Sequence, residues 1–221
     1  MRIFFAIFFI LASFAATAAQ NEQSPIVEKD ISYKNWTLKD VRTGEDRDLR
    51  QMIAGKKLVI IVYFAPWCHG WRHDITFLRR FYKDYSSKGL EIIGVGEYSS
   101  VASMRSNLEA NKVAFPVVYE SDSQEDAKKT KHYRYRTLAG DFRNWGTPWY
   151  IFIDPSKVET KGDTLLKRTF LINGEMIETE GEKFIREKLG IPPSDDHRAS
   201  ASTEKQEACD TAGLEIKLNK Q

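Results

Sequence analysis

The 221-residue chain holds two cysteines, and the first of them, Cys68, stands between two tryptophans in FAPWCHGWRHD, residues 64 to 74. A cysteine does chemistry as its thiolate, so what surrounds it decides whether it reacts or merely packs. Immediately before it, LVIIVYF (residues 58 to 64) is β-branched or aromatic nearly throughout, the pattern of a strand buried on both faces. After it, Trp71, Ile75, Leu78, Tyr82 and Tyr85 recur at helical spacing, while Arg72, Asp74, Arg79, Arg80, Lys83 and Asp84 take the other positions. This reads as an amphipathic helix ending near Gly89. Cys68 therefore falls at a strand-to-helix junction, where open parallel sheets place their ligand crevices. There a sulfur meets unpaired backbone amides and the positive end of the helix dipole, which favours the thiolate. The expectation is an exposed, reactive sulfur rather than the small buried hydrophobe that a free cysteine usually becomes.

A dithiol site needs a neighbouring thiol to resolve the mixed disulfide that the first one forms. Three residues on, that place holds Trp71, which lies on the apolar stripe with Ile75 and is expected to pack there. The other cysteine, Cys209, lies nineteen residues beyond Gly190. A flexible chain of that length has a typical end-to-end distance of roughly 25 Å and gives a tethered thiol an effective concentration on the order of millimolar. Cys209 is thus a possible resolving thiol; pairing between chains, or no role at all, is the plainer reading. His69 and His73 are four apart and flank Cys68, so sulfur and two imidazoles could converge on a soft metal such as copper. Adjacent helical residues point about 100° apart, however, and solvated histidines are the simpler account; no metal and no cofactor is assigned. His132, in the basic run KKTKHYRYR, is expected on a solvated helix face. Asn35-Trp36-Thr37 fits a glycosylation sequon, a triplet that also arises by chance.

The positioning elements follow from the same patterns. LEIIGVG (90 to 96) reads as a second buried strand, Ser100 to Asn111 as a helix with a Ser-rich start, and FPVVYE (115 to 120) as a short strand. Ser123 to Tyr135 reads as a helix, WYIFID (149 to 154) as a strand, Leu165 to Ile172 as its hairpin partner and Gly181 to Leu189 as a closing helix. Asn173-Gly174 is a turn signal. Strands alternating with helices imply an α/β fold with parallel crossovers. The first nineteen residues, with Arg2, an apolar stretch and small residues at Ala16 and Ala18, read as a cleavable export signal. Residues 20 to 30 read as a flexible lead-in, 31 to 190 as the domain, and the polar segment 191 to 221 as a disordered tail. Without Arg2, the 33 lysines and arginines become 32 against 31 acidic residues. So balanced a charge gives no case for binding nucleic acid, nor a membrane once the signal is removed. Export would place both cysteines where disulfides persist, in the periplasm or outside the cell.

The order of these elements and two local motifs resemble the thioredoxin superfamily, in particular the exported TlpA-like thiol-disulfide oxidoreductases. YFAPWCHGWRHD (63 to 74) is similar to their aromatic-Trp-Cys-x-x-Cys-Arg-x-Glu pattern, with Trp67, Cys68, Arg72 and an acid at Asp74 retained and the resolving cysteine replaced by Trp71. GTPWYIFID (146 to 154) resembles their Gly-x-Pro segment. The resemblance implies a thioredoxin-like fold, a central mixed sheet flanked by helices. It also implies a cis peptide before Pro148, with Thr147, Pro148, Trp67 and Trp71 as substrate contacts and Asp74 as a proton relay beside the nucleophile Cys68. Residues alone leave Asp74 equally a solvated helix charge. The buried acid of thioredoxins proper is absent, its place taken by Val62, and Ala65 stands where a peroxiredoxin carries threonine.

Together these features predict thiol-disulfide exchange through a single cysteine, forming mixed disulfides with thiol- or disulfide-containing client proteins or a redox partner. Two other functions are consistent with the same residues: a redox-inactive binding module of thioredoxin fold, and a copper-handling protein.

Overall fold

A computed structural model describes residues 22–192. The proposed leader, the C-terminal segment from 193 and with it Cys209 lie outside the described residues.

The first elements among the described residues are β1 (Gln23–Ser24) and β2 (Val27–Lys34), strands that begin within the stretch read as a flexible lead-in. Its polar composition misled because β2 is a sheet-edge strand, antiparallel to β9, that buries only Ile31 and Tyr33. Next come β3 (Thr37–Asp40), β4 (Asp46–Asp48) and the short helix α1 (Leu49–Ile53), whose start is capped by the Asp48 carboxylate. The strand expected from LVIIVYF is β5 (Leu58–Phe64), buried along its whole length. Helix α2 (His69–Tyr85) follows with Cys68 at its N-cap. It runs into a 3-10 turn that ends at Gly89 in the left-handed conformation, φ 109°.

Then come β6 (Leu90–Gly96), α3 (Val101–Ala110), capped by the Ser100 hydroxyl, and β7 (Val117–Tyr119). Where one helix was expected over 123 to 135, the chain instead makes a 3-10 turn at Gln124–Asp126 and a separate α4 (Lys131–Leu138). Two hydroxyl caps explain the break. Ser123 accepts from the Glu125 amide and Thr130 from the Tyr133 amide, each offering a new start. The last elements are β8 (Trp149–Ile153), β9 (Thr164–Ile172), β10 (Glu175–Met176) and α5 (Glu178–Leu189).

Eight strands form one mixed sheet in the order β2-β9-β8-β5-β6-β7-β3-β4. β5, β6 and β7 are parallel and are linked by α2 and α3, while β8 runs antiparallel to β5. Side chains of β5 alternate between two cores. Leu58, Ile60, Val62 and Phe64 join residues of α2, α3 and α5 on one face; Val59, Ile61 and Tyr63 meet α1 and Tyr135 of α4 on the other. Val62, the position of the missing acid, is an ordinary core residue. The apolar stripe of α2 is wider than its spacing suggested. Phe77 and Phe81 are buried and Tyr82 is only partly so, because α2 packs on the sheet and also flank to flank against α5, which lies on the same face.

Asn173-Gly174 does make a turn, but it sends the chain into β10, which pairs in parallel with β1 rather than back on β9. A Cβ at Gly174 would stand 2.1 Å from the Glu22 carbonyl oxygen, a backbone atom that cannot move aside while it accepts from the Glu175 amide at 3.0 Å. Gly174→Ala is therefore expected to cost about 1–3 kcal/mol and to detach β1. The urea midpoint should fall, and limited proteolysis should cut near Gln23 in the variant before it does so in the parent.

Candidate functional site

Cys68 sits where the last residue of β5 passes through Ala65, Pro66 and Trp67 into the first turn of α2. Its amide donates to the Ala65 carbonyl at 2.9 Å, and its carbonyl receives the Arg72 amide at 3.3 Å. The sulfur is half-buried, and its S–H donates to the Thr147 carbonyl at 3.1 Å. This bond joins the thiol to the turn that enters β8, where the Thr147-Pro148 peptide is cis, as the resemblance implied. Around the sulfur opens a cleft of about 360 Å³ lined by Trp67, His69, Gly70, Arg143, Trp145, Thr147, Glu175 and Glu22. Trp67, 38 % exposed, stands edge-on to Trp145 at 5.2 Å and donates its indole N–H to the Tyr98 carbonyl.

Other expected contacts are placed differently. Trp71 is fully buried, stacked on Phe64 at 4.1 Å, with its indole N–H donating to Asn107 Oδ1 at 2.9 Å. Its assignment as a substrate contact is corrected: a side chain on the helix stripe points into the core. Pro148 is also buried, its ring lying behind Gly70. Thr147 borders the cleft, but its hydroxyl is buried and its carbonyl is already engaged by Cys68.

Asp74 is no solvated helix charge. Fully buried, it accepts from Tyr150 Oη at 2.5 Å and the Met176 amide at 3.0 Å, and pairs with His73 Nδ1 at 2.8 Å. Burial pushes its carboxyl up to about 6, against the pull of those three donors. His73 is pushed up as well, chiefly by its bond to Asp74. Among the described residues, the side chains whose ligand atoms converge are His73, Asp74 and Glu175, all within 4.8 Å. Cys68 and His69 are not in that group, which removes the geometric basis for a copper site centred on the sulfur.

His132, expected on a solvated face, is fully buried. Its Nδ1 meets Tyr98 Oη at 2.9 Å and its Nε2–H donates to the Gly146 carbonyl at 3.2 Å, with the ring stacked on Tyr63 at 4.8 Å. Burial, with Arg136 nearby, holds it well below the usual histidine range, so the ring is neutral. Arg136, also buried, donates to the carbonyls of Asp141, Arg143 and Asn144. Together they fix the wall of the cleft formed by residues 141 to 147. Glu97 is sealed in with neither oxygen meeting a donor, and burial, with the Glu120 carboxyl nearby, drives its carboxyl well above the ordinary range. The sequence marks none of Glu175, Arg143, Trp145, His132 or Glu97. The one outward signal, the density of aromatic and basic residues from 131 to 149, covers His132, Arg143 and Trp145 and leaves Glu97 and Glu175 without any.

An α/β domain with a central mixed sheet, a thiol at the head of a helix and a cis-proline turn against that thiol has a thioredoxin-like fold. Solved structures share it. A thiol:disulfide interchange protein DsbE from Chlorobium tepidum, described as putative, has 18 % identity over 74 % of this chain and 98 % of that one, with TM-score 0.51. A DsbF homologue from Corynebacterium diphtheriae has 13 % identity over 73 % and 92 %, with TM-score 0.51. The model of the AhpC/TSA family matches residues 31–161, and the chain belongs to that family. A curated relative, the thiol-disulfide oxidoreductase ResA of Bacillus subtilis, is 28 % identical over 90 residues, which are 41 % of this chain and 49 % of that protein.

The Asp74 environment fixes a sign for stability against pH. Folding raises its carboxyl from 3.8 to about 6, so the native state binds the proton more tightly than the unfolded chain. Stability is then greatest below pH 4 for this group and declines as pH rises through the interval to 6. His73, also raised, contributes in the same direction, losing its share as pH rises past 6.5. Between pH 4 and 7 the parent should lose about 3 kcal/mol more than Asp74→Asn, read from urea unfolding at the two values.

Proposed function

We propose that the protein carries out thiol-disulfide exchange through Cys68 alone, its thiolate attacking a client disulfide to form a mixed disulfide. The observation that carries this reading is the Cys68 Sγ to Thr147 carbonyl contact at the mouth of an open cleft. In the attack the Cys68 sulfur bonds to one client sulfur, the client S–S bond breaks, and the departing thiolate takes up a proton. Trp67 and the 145 to 147 segment would flank the client chain, with Asp74 behind them serving proton movement through Tyr150 and His73. Because Trp71 fills the place of a resolving thiol and is locked in the core, the adduct is released only by an outside thiol or by Cys209. A hydroperoxide-reducing role is disfavoured, since Ala65 brings no hydroxyl toward the sulfur.

The partners are thiol- or disulfide-containing proteins, and the site of action is the periplasm or the exterior, supported by the N-terminal leader pattern. No helix among the described residues is long and apolar enough to cross a membrane. The rival is a binding module in which Cys68 is incidental.

The test is intact-mass analysis, in a Cys209→Ser background, after exposure to the neutral hydroxyethyl disulfide. One mercaptoethanol adduct on Cys68 is expected, stable for many minutes after removal of reagent, and none in Cys68→Ser. Trp71→Cys should shed the adduct within seconds by internal exchange and retain a 68–71 disulfide. A folded parent that forms no adduct would leave the binding-module reading standing alone.

A further inference from the structure

The charges around the cleft do not balance. On one wall, Arg143 is consumed: its Nε and one NH2 donate to Asp141 at 3.0 and 2.7 Å, that same NH2 reaches the Pro148 carbonyl, and its NH1 pairs with Glu22 at 2.8 Å. Arg136 lies 3.8 Å from Asp141. Two guanidiniums thus face two carboxylates, Asp141 and Glu22, and cancel. Across the cleft stands Glu175, with its side chain only 12 % exposed. One of its oxygens would lie 2.7 Å from a Cβ at Gly70, beside the Pro148 ring at 2.8 Å, so its carboxylate rests on the first turn of α2, two residues from the nucleophile. Among the described residues the sole cationic group within ion-pair reach is His73 Nδ1 at 3.9 Å, and that nitrogen is turned to Asp74 at 2.8 Å. Glu175 is left as a largely desolvated carboxylate, offset only by the 3.9 Å approach of a His73 it shares with Asp74, and it faces the space that a client must enter.

We infer that Glu175 sets the charge preference of Cys68, favouring disulfides that carry a positive group near the sulfur, such as a cystine flanked by Lys or Arg, and rejecting anionic ones. This rests on the exchange reading above and names its substrate class. A fixed charge in a partly dry cleft acts on an incoming ion over several ångströms with less screening than in bulk solvent. Because the incoming disulfide keeps its charge through the reaction, the effect appears in the rate of attack. Gly70 belongs to the same device: any side chain there would displace the carboxylate.

The experiment uses the full chain carrying Cys209→Ser and three small disulfides: cationic cystamine, neutral hydroxyethyl disulfide and anionic dithiodipropionate. Each rate of Cys68 adduct formation is divided by the rate of the same reagent with free mercaptoethanol, which removes the intrinsic reactivity of the reagent. The expected normalised ratio of cystamine to dithiodipropionate is on the order of tenfold at low salt, shrinking as salt is added. Glu175→Gln, nearly the same in shape, should bring the ratio close to one while the neutral reagent still reacts. A ratio near one in the parent, or one unchanged by Glu175→Gln, with the neutral disulfide reacting normally, would overturn the assignment and leave the exchange reading intact. A chain inert to all three reagents would overturn both.

Discussion

The contact on which the rest of the site depends is the hydrogen bond from the Cys68 thiol to the Thr147 carbonyl, between residues 79 apart in sequence. Neither partner has a rigid local structure of its own. Cys68 is held because β5 is buried along its length and delivers the chain to the head of α2 at a fixed point. Thr147 is held because β8 pairs antiparallel with β5, Tyr63 opposite Trp149. It is held also because His132 and Arg136 grip the carbonyls of the approaching loop. A buried arginine and a neutral buried histidine are costly unless their donors are met. Here the carbonyls that accept from His132 Nε2 and from both terminal amino groups of Arg136 belong to the loop they immobilise, while Arg136 Nε is buried without a partner, so stability and site geometry rest on the same bonds.

Trp71, three residues after Cys68, has a structural part of its own. The indole stacks on Phe64 and reaches Asn107 of α3, tying α2 to α3 through a polar contact within a large apolar surface. Position 71 is thereby part of the core. Of the titrating groups nearby, Asp74 is buried against Tyr150 and β10, while His73 beside it keeps about half of its side chain in solvent. The chain belongs to the AhpC/TSA family and shares its fold with a structure described as a disulfide-interchange protein.

How far the sequence could be read depended on whether the signal was local. The unbroken LVIIVYF run could only be a central strand, because a charge-free β-branched segment must bury both faces. The Asn173-Gly174 turn was likewise legible, but its direction was not: turn chemistry fixes the bend and leaves open which strand waits on the far side. β2 was missed because an edge strand keeps one face wet and so reads as polar linker. His132 was misplaced because KKTKHYRYR looks solvated as a string, whereas on α4 only His132, Tyr135 and Arg136 turn inward.

By itself, then, the sequence determined the position of the thiol at a strand-to-helix junction, the absence of a neighbour three residues on, and the α/β order of the elements. These are consequences of composition and period within a dozen residues. Tertiary structure alone decided that Asp74 is buried and Trp71 sealed in the core. It alone decided that Glu22, Arg143 and Glu175 from distant segments share the cleft with Cys68. A side chain's charge and reactivity are set by what lies across from it in space, and the pairing of β1 with β10 and of β5 with β8 fixes those neighbours without leaving a trace in the local pattern.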